Sequence, residues 1–170
     1  GPKDFTELCM QAAEIMLMQG KVAENKEEAR KMLDEVVASG KAFETFKDMV
    51  KAQGGNVDMI ENPELLPQSK FKTEIKSEES GDVKVLHSER LGVLAMQLGA
   101  GRETKEQDVN HAVGLELACK RGDKVNKGDT ICIVYHDEEL KPQWVEELYH
   151  AFELTNEEVA PQPIIEKVLS

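Results

Sequence analysis

The stretch LGAGRETKEQDVNHAVG, residues 98–114, places Gly99, Gly101 and Gly114 around one arginine, Arg102. Thin backbone beside a guanidinium is the raw material of an anion site. A phosphate loop normally follows a strand and opens a helix, so that free N–H groups and the helix dipole converge on the anion. Here the glycines follow a helical stretch, and neither G-x-x-x-x-G-K-[ST] nor G-x-G-x-x-G occurs. The order favours a turn, with Gly99 as a helix-ending glycine. Arg102 is then expected to pair with Glu103 or Asp108, the alternative being that it lines the wall of a cleft. His111, beside the turn, shares that second role as an open question.

A second stretch, RGDKVNKGDTICI over residues 121–133, repeats one device: Gly122-Asp123 and Gly128-Asp129 flank Val125. Matched Gly-Asp turns predict a compact β-corner with the valine inward and Lys124, Asn126 and Lys127 outward. Its pattern resembles the K-x-G-D-x-V-x-x-G-D turn of biotinyl and lipoyl carrier domains. In those domains a lysine at a separate hairpin tip carries the cofactor, and Met-Lys does not occur here.

Other chemistry-bearing residues are dispersed. His87, His111, His136 and His150 have no H-x-x-x-H or H-E-x-x-H spacing for a metal, and G-x-S-x-G is absent. Cys9, Cys119 and Cys132 are odd in number, fit no zinc spacing and sit among apolar neighbours; all three are expected to be buried reduced thiols. Met10, Met16 and Met18 read as core filler. Glu27-Glu28 and Glu78-Glu79 read as solvated faces. The sequence therefore assigns no catalytic residue and no metal ligand; Arg102 is its candidate for a cleft wall, with His111 left open.

The composition narrows the partners. With 33 acidic against 21 basic residues the formal charge is -12. Such a surface repels nucleic-acid phosphates and anionic lipid, so neither is expected as a partner. No apolar run approaches the ~18 residues of a membrane span, and the N-terminus lacks the basic-then-apolar order of a signal peptide. Gly1-Pro2-Lys3-Asp4, without methionine, leaves a processed terminus, an expression remnant or a cut into a longer chain as alternatives. A cytoplasmic setting is expected.

The elements that must position these residues fall into an α+β order. Residues 1–53 read as three helices. Asp4 with Glu7, and Asn25 with Glu28, are candidate capping boxes, while Gly20 and Gly40 act as stops. Residues 54–70, with two prolines and two glycines, read as an irregular linker. From Phe71 the period becomes two: alternating runs follow at Phe71–Ile75, from Val83, at Val113–Leu117 and at Ile131–Tyr135, with a turn at Ser80-Gly81. Ser88 is expected to cap a short helix through about Gln97. Gln143–Leu154 reads as an amphipathic helix and Ile164–Leu169 as a last strand. The leader is anomalous, because three short striped helices bury little surface alone.

Taken together, GPKDFTELC, SGKAFETFKDMVKAQGG and LGVLAMQLGAGRETKEQDVNHAVGLELACKRGDKVNKGD resemble the C-terminal part of the pyrimidine-nucleoside phosphorylases, a family that includes thymidine phosphorylase. The likeness runs over nearly the whole chain, and the LGAGR…AVG…GD-x-V-x-x-GD succession is its most specific part. It implies a homodimer whose subunits each have a small helical lobe and a large α/β lobe. Residues 1–53 would be helices of that large lobe, 54–70 a linker, and 71–170 a mainly antiparallel C-terminal subdomain. The implied reaction is phosphorolysis: nucleoside and phosphate give the free pyrimidine and (deoxy)ribose 1-phosphate through an oxocarbenium-like sugar. The resemblance also implies that the KHSTGG phosphate loop, the arginine, serine and lysine that grip the base, and the potassium site of some members lie upstream of Gly1. No substrate or metal residue therefore carries over, no cofactor is expected in this chain, and the rest of the subunit is its expected partner. The chain alone is predicted to be inactive. A non-catalytic binding module or a biotinyl/lipoyl-like carrier is the alternative. One departure is visible: the family often has an acid, in Ile-Asp-His or Ile-Asp-Leu, where this chain has Val109-Asn110-His111.

Overall fold

The computed structural model describes residues 1–168. The chain divides into two compact units, one of residues 1–65 with the chain end from Pro163, the other spanning Leu66–Gln162. The described residues form six helices and two three-stranded antiparallel sheets, an α+β architecture.

In the first unit, α1 (Lys3–Gln19), α2 (Lys26–Ala38) and α3 (Lys41–Ala52) pack in succession, followed by the single turn α4 (Asp58–Glu61). The capping box of α2 forms as expected: Asn25 Oδ1 accepts the Glu28 amide at 2.9 Å, and Glu28 Oε2 accepts the Glu24 amide at 2.8 Å. The one expected at Asp4 does not. Proline at position 2 is the N-cap, so Asp4 lies inside the first turn, and Glu7 turns away to Arg30. The Arg30 Nη1 and Nη2 donate to the two Glu7 oxygens at 2.9 and 2.7 Å, while Nε donates to the buried Glu14. One guanidinium thus bolts α1 to α2 through a bidentate pair.

The helical unit has little core. Ala23 and Ala29 are its buried apolar residues, whereas Phe5, Ile15, Met16, Val36, Val37, Phe43, Phe46 and Met49 are exposed. Met16, expected to fill the core, is 70% exposed, and Cys9, expected to be buried, lies at the surface.

The second unit begins with β1 (Phe71–Lys76) and β2 (Gly81–Leu86). These neighbours in sequence do not pair. Strand β1 joins β5 (Thr130–His136), which also pairs β3 (Gly114–Leu117); β2 lies between β4 (Lys124–Val125) and β6 (Phe152–Thr155). Residues Ser77–Ser80 carry the chain from one sheet to the other. Helix α5 (Ser88–Ala95) runs into a wide helical turn over Met96–Ala100, and α6 (Pro142–His150) precedes β6.

A single cluster unites the sheets and helices: Ile75, Val83, Leu91, Leu94, Val125, Ile131, Cys132, Val134, Trp144, Leu148 and Phe152 are among its buried members. On β5 the deeply buried face is that of Cys132, Val134 and His136; on the other face Ile131 is buried while Ile133 and Tyr135 are half-buried. The alternation read from Ile131 and Ile133 is therefore present, but the more deeply buried face is the one offset from it by a single residue.

Four boundaries differ from the sequence reading. Ser88 is the first residue of α5 rather than a side-chain cap. The stretch read as one helix through Leu154 stops at His150, where the Ala151 amide closes the last turn onto Glu147 and Leu148, and Phe152–Thr155 turns to pair with β2. Cross-strand pairing overrides helical periodicity there. Residues 164–168 form no strand, and Leu169 of the expected final strand lies outside the described residues. Two short helical turns, Asp58–Glu61 and Pro63–Leu65, occupy part of the stretch read as irregular.

Candidate functional site

The glycine–arginine stretch is a turn that leaves a helix. Gly99, at φ +107°, ends the wide turn that follows α5, a conformation that suits glycine. The chain then loops out and returns at Asn110, whose N–H donates to the Gly99 carbonyl at 2.9 Å. Inside the loop, Gln107 Oε1 accepts the amides of Glu103 and Thr104 at 2.7 and 3.2 Å. Arg102 and His111 are exposed. The expected pairing of Arg102 with Glu103 or Asp108 does not form.

Asn110 anchors the returning end. Its Oδ1 accepts the Ala112 amide at 3.0 Å, and its Nδ2 donates to Asp137 Oδ2 at 2.8 Å. Asp137 follows β5 and also accepts, on Oδ1, the amide of Lys70 at 2.8 Å. Those bonds, the Lys70 amide first and Asn110 second, hold the Asp137 carboxyl below its ordinary pKa. The adjacent His136 is buried and satisfied: Nδ1 lies 2.6 Å from the Glu138 carbonyl, Nε2 lies 2.7 Å from Thr73 Oγ1, and Phe71 stacks on the ring at 5.5 Å. A carbonyl only accepts, so Nδ1 carries a proton, and Nε2 shares a hydrogen bond with the Thr73 hydroxyl. A cavity of about 220 Å³ opens beside this cluster, with Asp108, Asn110, Asp137, Glu138 and Trp144 in its wall.

The paired Gly-Asp turns form as expected, with Val125 buried between them. They are near copies of each other. Asp123 Oδ2 accepts the Lys120 amide at 2.9 Å, and Asp129 Oδ2 accepts the Asn126 amide at 2.8 Å. Each turn then clamps a crossing residue through two backbone bonds. Val83 donates to the Asp123 carbonyl and accepts from Gly122, both at 2.9 Å; Ser77 does the same with Asp129 and Gly128, both at 2.8 Å. The six-residue step from 123 to 129 is thus mirrored by the step from 83 to 77, a local two-fold relation. Lys127 is held in this corner by its amide, which donates to Ser80 Oγ at 2.8 Å.

Burial sets the thiols apart from reactive chemistry. It pushes Cys119 up to about 11 and Cys132 up to about 12, so both stay protonated near neutrality. Among the described residues no group of three or more His, Cys, Asp or Glu side chains is placed to hold a metal ion. No helix among them is long and apolar enough to cross a membrane.

Sequence reasoning found the turn and both corners. It missed Asp137, Lys70 and the Thr73–His136 bond, whose partners lie 27 to 67 residues apart and leave no local signal.

Comparison with known proteins converges on one family. Residues 83–155 match the family described as pyrimidine nucleoside phosphorylase C-terminal domain. The Bacillus subtilis (strain 168) pyrimidine-nucleoside phosphorylase is 38% identical over 164 residues, covering 96% of this chain and 38% of the relative. Its counterparts from Staphylococcus aureus are 39% identical over 170 residues in strain USA300 and 40% identical over 169 residues in strain MSSA476, with 39% of each relative covered. The chain therefore spans under two-fifths of the length of these relatives. Sustained identity from the first helix to the chain end, with the domain match centred on the loop and corners just described, shows that this chain corresponds over its length to the C-terminal portion of the pyrimidine-nucleoside phosphorylases it matches.

Proposed function

We propose that this chain serves as the C-terminal part of an enzyme that transfers a pentosyl group from a pyrimidine nucleoside to phosphate, releasing the free base and (deoxy)ribose 1-phosphate. In that reaction phosphate attacks the anomeric carbon as the glycosidic bond breaks; the enzyme contributes mainly by positioning the anion and by stabilising charge on the departing base. The observation that carries the reading is the identity of about 39% across the whole chain to proteins bearing that enzyme's name.

Residues 1–53 belong, in this reading, to the large α/β lobe and residues 71–170 to the C-terminal subdomain. The rest of the subunit supplies the groups that grip phosphate and base, and the complete enzyme is a cytoplasmic homodimer. The exposed apolar face of α1–α3 supports this, because it is the surface such a lobe would cover. Any potassium site belongs to the upstream segments as well.

The test is direct. The purified chain, incubated with uridine or thymidine and inorganic phosphate, is expected to release no free base. Measurable phosphorolysis would overturn the division of labour. Arg102, exposed and not paired with either neighbouring acid, is assigned to the cleft wall. In a complete enzyme, Arg102→Ala is expected to raise KM for phosphate several-fold, and unchanged kinetics would remove that assignment.

The local two-fold of the Gly-Asp corners favours a kinship of shape with biotinyl and lipoyl carriers. It does not extend to their function, since Lys127 sits in a corner, tied through its amide, rather than at a free hairpin tip. An intact-mass spectrum of the chain from its host without a biotinyl or lipoyl adduct is the expected result.

A further inference from the structure

We infer that Asn110 and Asp137 form a reciprocal clasp fixing the loop over residues 99–112, in which the amide and the carboxylate can trade places but neither can be duplicated. Three segments meet in it. Asp137 holds the Lys70 amide ahead of β1 through Oδ1 and the Asn110 side chain through Oδ2. Asn110 in turn holds the Ala112 amide through Oδ1 and, through its own N–H, the Gly99 carbonyl.

The donor and acceptor arithmetic is strict. Position 137 must accept from Lys70, and position 110 must accept from Ala112. One bond then remains between the two side chains, and it needs one donor. Asparagine at 110 with aspartate at 137 supplies it. Aspartate at 110 with asparagine at 137 would supply it equally, because the asparagine oxygen accepts from Lys70 while its NH₂ donates back across the gap. Two carboxylates supply no donor and place like charges within hydrogen-bond distance, in a wall that already holds Asp108 and Glu138. Two amides leave NH₂ facing NH₂.

This gives a physical meaning to the departure at position 110. The resemblance expects an acid there. The chain instead carries the amide, and its carboxylate stands across the gap at 137. With the carboxylate at 137, the amide at 110 completes every bond of the clasp, so the loop bearing Arg102 is anchored without an acid at position 110.

The test uses four versions of the whole chain: the parent, Asn110→Asp, Asp137→Asn, and the double variant carrying both changes. Trypsin can cleave after Arg102 and Lys105, both exposed in this loop, and the initial cleavage rate there reads the anchoring. Hydrogen exchange at the Ala112 amide is the second readout. Each single variant is expected to be cleaved at least ten-fold faster than the parent, with faster exchange at Ala112. The double variant is expected to return within about two-fold of the parent in both. Should a single variant unfold the unit, as reported by Trp144 fluorescence, recovery of the folded signal in the double variant supports the clasp equally. Single variants cleaved at the parent rate, or a double variant as loose or unfolded as the singles, would overturn it.

Discussion

Gly122 and Gly128 stand in equivalent turns, at φ +90° and +91°, yet a methyl group added to each would meet different surroundings. At Gly128 nothing lies within 4 Å of the ideal Cβ. Gly128→Ala therefore carries only the left-handed backbone cost, on the order of 1 kcal/mol. At Gly122 the same atom would stand 2.8 Å from Pro161 Cα and 3.0 Å from Pro161 N, backbone that cannot rotate aside. Gly122→Ala is expected to cost clearly more, or to displace the 156–162 segment. Urea unfolding followed by the single tryptophan, Trp144, ranks the two; equal midpoints would refute the asymmetry. The sequence displayed both glycines as matched turn residues, and the structure bears that out. It could not display Pro161, since a contact 39 residues away is decided by the path of the chain after β6. Cys9 illustrates the same limit: its apolar neighbours were legible, but what covers them was not.

At the scale of elements, α1 and α2 are joined by polar rather than apolar atoms. The bidentate bond from Arg30, followed by the Gln11 amide, draws the Glu7 pKa down from its ordinary 4.5 to about 2. A group depressed on folding adds stability that is full above its unfolded pKa and lost as pH falls through its folded one. The Glu7 contribution is thus present above about pH 4.5 and disappears toward pH 2. The difference in acid unfolding between the parent and Glu7→Gln, followed by helical circular dichroism, is expected to shrink across that window. A difference that stays constant with pH would contradict the pairing. Helix positions were readable because capping and stop residues act within four residues, as Asn25, Glu28 and Gly40 do. The end of α6 was not, because Phe152–Thr155 obeys a cross-strand partner rather than its own periodicity.

Across the whole molecule the two units are unequally finished. The Leu66–Gln162 unit closes around one buried cluster, whereas the helical unit shows water Phe43, Phe46, Val37 and Met16. Each such side chain, only partly exposed, forgoes a share of the roughly 1.5–3 kcal/mol that full burial contributes. The isolated chain is therefore expected to self-associate as concentration rises, and Phe43→Glu with Phe46→Glu to suppress it. Sedimentation velocity decides this; a parent chain that stays monomeric at high concentration would show those faces to be tolerated in water. The family resemblance and the α+β order were legible because they rest on contiguous motifs. The clasp was not, because it is assembled from three distant segments.

The crossing of the chain between sheets also dictates how the second unit must come into being on a ribosome. Strand β1 waits for β5, more than fifty residues later, and β2 waits for β6, more than sixty residues later. Until the last of these emerges, the early strands present open edges to the cell. The unit cannot be completed piecemeal as the chain grows, so its folding is gated by the emergence of its final strand.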